Sequence, residues 1–181
     1  MKIIYTNSDL EAAIIFATQS HSGQVRKGDG RLYIMHPMSV MARLYKYKGD
    51  SINIILLAIC AILHDVYEDC NITIEEITNR FGQDVSDIVL ELSSDKVLIT
   101  LIGKTEYLKE KMRNISSYSL VIKLCDRLDN VNDVARMSSE FITKSFTETL
   151  NILDYISVNR KLSNTHKAII KDIYKIISTK V

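Results

Sequence analysis

The chain has 181 residues and a mass of 20.6 kDa, the size of one ordinary domain, with 46% apolar and 25% charged residues. That balance excludes collagen-like, low-complexity and disordered classes, because there is enough apolar surface to build a sizeable core. Lys and Arg number 23 against 22 Asp and Glu, a net charge of +1, so no global field holds a polyanion: nucleic acid is not an expected partner, and any phosphate site is local.

One Pro and six Gly interrupt the chain, and its apolar residues recur at helical spacing, which predicts an all-α fold. Ser8-Asp9-Leu10-Glu11 has capping-box spacing and is followed by Ala12, Ile15 and Phe16, predicting a first helix over 8–20. Gly23 to Ile34 carries three glycines with Arg26, Lys27, Asp29 and Arg31 and reads as a solvent-facing loop. Pro37 suits a first helical position, where its missing N–H costs nothing, so His36 stands at the start of a second helix reaching about 46. From about Ser51 a third helix carries the ten-residue apolar run Ile54 to Leu63 and arrives at His64-Asp65, with Tyr67, Glu68 and Asp69 in its last turn or just beyond. A membrane span needs about 20 residues, so this run is a core segment and no membrane is expected as a partner.

Thr73-Ile74-Glu75-Glu76 is a second capping box whose helix stops at Gly82, and another helix follows over 84–92. Residues 94–104 are ambiguous and compatible with a loop. Lys104 to Arg113, Tyr118 to Met137, Glu140 to Ser157 and Asn164 to Ser178 complete a single domain of roughly nine helices over 1–181, without internal repeat or linker. The three cysteines, Cys60, Cys70 and Cys125, form no CxxC pair and are odd in number, and the N-terminus turns polar before any secretory segment develops. Both features fit a reducing cytoplasm.

Helices bury charge reluctantly, so an apolar run that ends in His64-Asp65 and then Glu68-Asp69 needs something to offset desolvation. A metal ion would do so, with Glu68 and Asp69 each four residues beyond His64 and Asp65. The alternative is a solvated acidic helix end, where the carboxylates oppose the dipole. His36, after a basic loop, is either a third ligand or a capping histidine. Further on, Lys123, Asp126, Arg127 and Asn130 occupy one helical face while Val121, Leu124, Cys125 and Leu128 occupy the other. That polar face serves a site or a salt-bridge ladder; periodicity is compatible with both.

His36-Pro37, then His64-Asp65 with Glu68-Asp69, then Lys123-Leu124-Cys125-Asp126-Arg127-Leu128-Asp129-Asn130, resemble in order and spacing the HD-superfamily signature of the RelA/SpoT alarmone hydrolases. Gly23-Gln24-Val25-Arg26-Lys27 before Tyr33-Ile34-Met35-His36-Pro37, and Phe81-Gly82 after the doublet, extend the resemblance over residues 8 to about 137. The chain has no room for the nucleotide-synthesising domain of the long members and is most similar to the small stand-alone hydrolases, with 138–181 as helical completion of the domain. Leu32 stands where the family usually has Pro, Cys70 where Thr commonly follows the acidic pair, and Asn132 where a basic residue is frequent.

The resemblance implies a metal-dependent pyrophosphohydrolase that removes the 3′-diphosphate of guanosine tetra- or pentaphosphate with one Mn²⁺ ion, leaving GDP or GTP. It implies His36, His64, Asp65 and Asp126 as metal ligands, a mixed nitrogen and oxygen set suited to Mn²⁺ or a similar first-row ion. Glu68 and Asp69 match the catalytic acidic pair, Arg26 and Lys27 would recognise phosphate, and Asn130 would lie near the ribose. Tyr67, Cys60, Cys70, Cys125 and His166 read as structural or incidental. Two other outcomes are hydrolysis of a related nucleotide, an adenosine alarmone or the 2′-phosphate of NADPH, and a catalytically silent nucleotide sensor.

Overall fold

A computed structural model describes residues 4–27, 30–134 and 137–180. Among these the regular structure is eleven α-helices and an isolated antiparallel bridge between Val25 and Leu32, and no helix is long and apolar enough to cross a membrane. The all-α expectation is met. Contacts group the chain into two units, residues 1–26 with 30–93 and residues 27–29 with 94–181.

The first unit holds α1 (Asn7–Ser20), α2 (Met35–Lys48), α3 (Ile54–Leu63), α4 (Val66–Asp69), α5 (Ile74–Phe81) and α6 (Gln83–Leu92). Its centre is α3, whose residues Leu57 to Leu63 are fully buried beneath α1, α2 and α6. Phe16 of α1 meets Phe81 of α5 edge to face at 5.5 Å, closing one side of this core. Truncating Ile59, fully buried in α3, is therefore expected to be costly: Ile59→Ala should lose about 2–5 kcal/mol in urea unfolding, and an unchanged midpoint would contradict this core assignment.

Two local expectations are corrected here, and a third that was open is resolved. The first helix is capped two residues earlier than Ser8: the Thr6 hydroxyl accepts from the Asp9 N–H at 3.4 Å, and the Asp9 carboxylate accepts from the Thr6 N–H at 2.7 Å. Pro37 is the third residue of α2, not the first, because backbone bonds from Met35 to Leu32 and from His36 to Tyr33 start the helix ahead of it. The missing N–H is still harmless in a first turn. Of the two placements open for the acidic pair, in the last turn of the third helix or just beyond it, the second holds, because the helix breaks at His64-Asp65. The His64 Nδ1–H donates to the Ala61 carbonyl at 2.8 Å, the acceptor a continuing helix would offer to Asp65, and the chain restarts as α4 with Asp65 as its N-cap. The Thr73 cap, by contrast, is as expected, its hydroxyl accepting from the Glu76 N–H at 3.2 Å, and α5 ends at Gly82 with φ 87°.

The second unit holds α7 (Lys96–Ile102), α8 (Lys104–Asn114), α9 (Ser117–Val134), α10 (Ser139–Asn159) and α11 (Asn164–Lys180). The expected extension of α9 to Met137 crosses residues 135 and 136, which lie outside the described residues. The ambiguous stretch 94–104 contains α7: the Asp95 carboxylate accepts from the Val97 and Leu98 N–H groups at 2.9 Å, and Gly103 ends the helix at φ 84°. Buried Leu120, Val121, Ile122, Leu124, Cys125, Leu128 and Val131 make α9 the core of this unit, with α10 and α11 packed on it and α8 on α10. His166 is structural, as expected: its Nε2–H donates to the Ser117 carbonyl at 3.1 Å and its Nδ1 accepts from the Ser163 N–H at 3.2 Å.

Candidate metal centre

Two helix junctions of the first unit bring nitrogen and oxygen donors together. His36 enters from the first turn of α2 and His64 from the C-cap of α3, 3% and 1% exposed, with ring centroids 5.3 Å apart in a T arrangement. Asp65 follows where the break after α3 turns its carboxylate back. His36 Nε2 lies 3.7 Å from Asp65 Oδ2, and His64 Nε2 lies 3.1 Å from the same oxygen. One ligand atom from each of the three residues falls within 4.8 Å of the others.

The protonation of His64 gives this cluster its chemistry. Since the Ala61 carbonyl only accepts, Nδ1 carries a proton, and in the neutral ring that a metal ligand requires Nε2 carries the lone pair. That Nε2 is buried without a hydrogen-bond partner, and although close to Asp65 Oδ2 it is not aligned as a hydrogen bond. With that ring neutral, two electron-rich atoms face each other in a desolvated site, an arrangement that a cation between them stabilises. Metal ligands at ~2.0–2.2 Å from an ion stand ~3–4 Å from each other, which these separations match. The donor set of two imidazoles and a carboxylate suits a first-row divalent ion, and the Nδ1–carbonyl bond supplies the outer contact that fixes a ligating ring. The chain's residues thus fit a metal.

The acidic turn and the loop residues Gln24 and Arg26 belong to the same unit as this cluster. Glu68 is half-buried and Asp69 exposed on α4. Gln24 ties the loop to this turn, its amide donating to the Asp69 carbonyl at 3.1 Å while its Oε1 accepts from His21 Nδ1 at 2.8 Å. Cys70 Sγ sits 3.3 Å from His21 Nδ1. Burial, and then the charge of Asp69, push its thiol above the usual range, so it is a poor nucleophile. Cys60 and Cys125 are buried free thiols, as their structural assignment expects.

The Tyr33 hydroxyl donates to Asp65 Oδ2 at 2.7 Å and lies 3.3 Å from Asp69 Oδ2. Its ring packs on His21 at 4.8 Å and edge-on to His36 at 5.9 Å, and the Arg26 guanidinium stands over its face at 5.9 Å. Motif reasoning does not single Tyr33 out. The available signal was its place three residues before His36, one helical turn away at a helix start. Of the loop's basic pair, Arg26 is thus drawn to the site through Tyr33, while Lys27 is exposed.

In the second unit α9 brings its polar residues together among themselves. Asn130 donates to Asp126 Oδ1 at 2.6 Å and the Lys123 ammonium lies 3.1 Å from Asp126 Oδ2, with Lys123 and Asp126 both buried. Arg127 leaves the stripe: it pairs with Glu148 of α10 at 3.1 Å, and Lys104 meets the same carboxylate at 3.2 Å. The face read from periodicity is therefore divided between one ion-pair anchor and an Asp126-centred group.

Comparison with known proteins gives the family. The HD domain family matches residues 13–161. The chain is 39% identical over 132 residues to the guanosine-3′,5′-bis(diphosphate) 3′-pyrophosphohydrolase MESH1 of Xenopus tropicalis, covering 72% of each chain. It is 36% identical over 132 residues to MESH1 of Homo sapiens, again 72% of each. To the guanosine-3′,5′-bis(diphosphate) 3′-pyrophosphohydrolase of Aquifex aeolicus it is 35% identical over 153 residues, 80% of this chain but 20% of that longer one. Among solved structures, a metazoan ortholog of SpoT that hydrolyzes ppGpp shares the fold, with a TM-score of 0.80 and 23% identity over 96% of this chain and 97% of that one. With the HD domain match spanning residues 13–161 and the MESH1 relatives matched over 72% of their own length, the chain belongs to the HD domain family and to the MESH1 group within it.

Proposed function

We propose that this protein is a metal-dependent pyrophosphohydrolase that removes the 3′-diphosphate of guanosine tetra- or pentaphosphate, releasing pyrophosphate and GDP or GTP. The observation that carries the proposal is the buried donor cluster of His36, His64 and Asp65, with the His64 lone pair turned onto a carboxylate, in a chain whose relatives bear that activity in their names. His36, His64 and Asp65 would hold one Mn²⁺ ion, and Asp126 would be the fourth ligand on the strength of its family position. The family match runs from the first unit into the second, which supports treating residues 1–181 as one functional domain. Three free thiols fit a reducing compartment, the cytoplasm.

When bound, the ion supplies Lewis acidity at a phosphate oxygen and acidifies the attacking water. The chain's own residues do the rest. Glu68 or Asp69 takes a proton from water as its oxygen attacks the phosphorus joined to the 3′ oxygen. That P–O bond breaks, and the ribose 3′ oxygen leaves with its electron pair and is protonated to a hydroxyl. Arg26 and Lys27 neutralise the diphosphate, whose charge grows as it departs, and Asn130 hydrogen-bonds near the ribose. The test incubates Mn²⁺-loaded protein with guanosine tetraphosphate or NADPH, with and without chelator. Chelator-sensitive pyrophosphate from guanosine tetraphosphate is expected. Orthophosphate from NADPH alone would transfer the activity to the other nucleotide, and no turnover of either at full metal occupancy would make the protein a sensor.

A further inference from the structure

We infer that Tyr33 is a positioning residue of the proposed reaction, its hydroxyl holding the Asp65 carboxylate toward the ion and fixing Asp69 beside it; the inference rests on the function proposed above. A phenol has a single proton to give, and here two carboxylate oxygens compete for it at 2.7 and 3.3 Å. Asp65 and Asp69 stand at the two ends of one helical turn, and a donor between them offsets the repulsion of two like charges held close together. When Asp65 Oδ2 shares its electrons with a cation it becomes a weaker hydrogen-bond acceptor, so the Tyr33 proton shifts toward Asp69. The same hydroxyl thus serves the ligand before metal binding and the proton-accepting turn after it.

The ring is held independently of its oxygen. It lies against His21 and His36, the Tyr33 N–H donates to the Gln24 carbonyl at 2.9 Å, and Gln24 in turn grips the Asp69 carbonyl. Removing the oxygen alone therefore leaves the ring in place, and Tyr33→Phe isolates the hydroxyl. The Arg26 guanidinium over the same ring should also keep its position, so substrate affinity is expected to change little.

Mn²⁺ affinity of the full chain, measured by chelator competition, should fall about tenfold in Tyr33→Phe, the lower end of the ~10–100-fold typical for losing an outer partner of a metal ligand. The kcat for guanosine tetraphosphate at saturating Mn²⁺ should fall while KM stays within about threefold, the pattern of an interaction made in the transition state. On an Asp69→Asn background the added Tyr33→Phe change should cost almost no further kcat yet still weaken Mn²⁺ binding. In the unmutated protein, Mn²⁺ should also perturb the tyrosine ultraviolet absorption as the hydroxyl changes acceptor, a measurement that needs no variant. Wild-type Mn²⁺ affinity in Tyr33→Phe, additive kcat losses with Asp69→Asn, or a flat difference spectrum at full occupancy would each overturn the inference. If the unmutated protein binds Mn²⁺ but hydrolyses nothing, the proposed function fails, while the affinity ratio of the two proteins still tests Tyr33.

Discussion

A His64→Ala protein is expected to lose Mn²⁺ and turnover together. His64 is the most buried of the three gathered donors and the one whose lone pair has no other use: its Nδ1 proton is committed to the Ala61 carbonyl, leaving Nε2 for an ion. Deleting the ring removes a direct ligand, so affinity should drop beyond the ~10–100-fold range of outer contacts. Thermal unfolding makes this visible. Mn²⁺ at about 100 times its Kd adds ~2.7 kcal/mol to the unmutated protein, and for a chain of this size each kcal/mol moves Tm by ~2–4 °C. A Mn²⁺-dependent rise of about 5–11 °C is expected in the unmutated protein and none in the variant. Losing several kcal/mol of Lewis-acid stabilisation corresponds to about 10³-fold or more in kcat. The lost bond to Ala61 lowers the metal-free Tm as well, but that offset is the same with and without Mn²⁺. A variant whose Tm still climbs with Mn²⁺ as the unmutated protein's does would remove His64 from the ligand set.

Most of the fold was legible because most of its helices carry both an apolar stripe and a stop or start signal. The Thr73 cap and Gly82 bound α5 as their chemistry requires. What was not legible involves bonds that periodicity does not encode. Because Ile54 to Leu63 runs unbroken toward the acidic pair, periodicity leaves Glu68 and Asp69 either in the last turn of the third helix or just beyond it. The break at His64 comes from a side chain capturing its own helix's carbonyl. Residues 94–104 lacked a stripe, and α7 indeed buries none of its residues. Its Asp95 cap and Gly103 stop were present in the sequence, and those local signals are what define the helix. Thr6 and Ser8 both begin capping patterns, and only the Thr6 hydroxyl meets its N–H.

The candidate site divides along the same line. His64 and Asp65 stand out because charge next to a ten-residue apolar run is expensive to bury, His36 stands open as ligand or cap, and the three do converge. The stripe on α9 was half informative: Asp126 and Asn130 pair with each other, but Arg127 is claimed by Glu148, a partner 21 residues away that no helical period reveals. Tyr33 was invisible for a related reason. Its hydroxyl meets carboxylates 32 and 36 residues on, and an aromatic residue at a helix start is ordinarily packing material.

Glu68→Ala separates ion binding from proton transfer and should give the opposite signature to His64→Ala. Glu68 is half-buried on α4, one turn beyond Asp65 and outside the gathered donor set, and Ala is the best helix former, so the turn that presents Asp65 persists. The Mn²⁺-dependent rise in Tm should therefore be retained. If Glu68 takes the proton from the attacking water, kcat should fall ~10²–10⁴-fold, with KM little changed because the side chains proposed to bind phosphate, Arg26 and Lys27, are left intact. Should Asp69 be the acceptor instead, that loss passes to Asp69→Asn, still with the ion retained, because Asp69 is outside the gathered donor set and its carboxylate meets the Tyr33 hydroxyl. The contrast is between classes of variant: ligand removal abolishes the Tm response, acid removal leaves it intact. Loss of the Mn²⁺ response in Glu68→Ala equal to that in His64→Ala would place Glu68 among the ligands, and full activity in both acid variants would leave the water without a base from this turn.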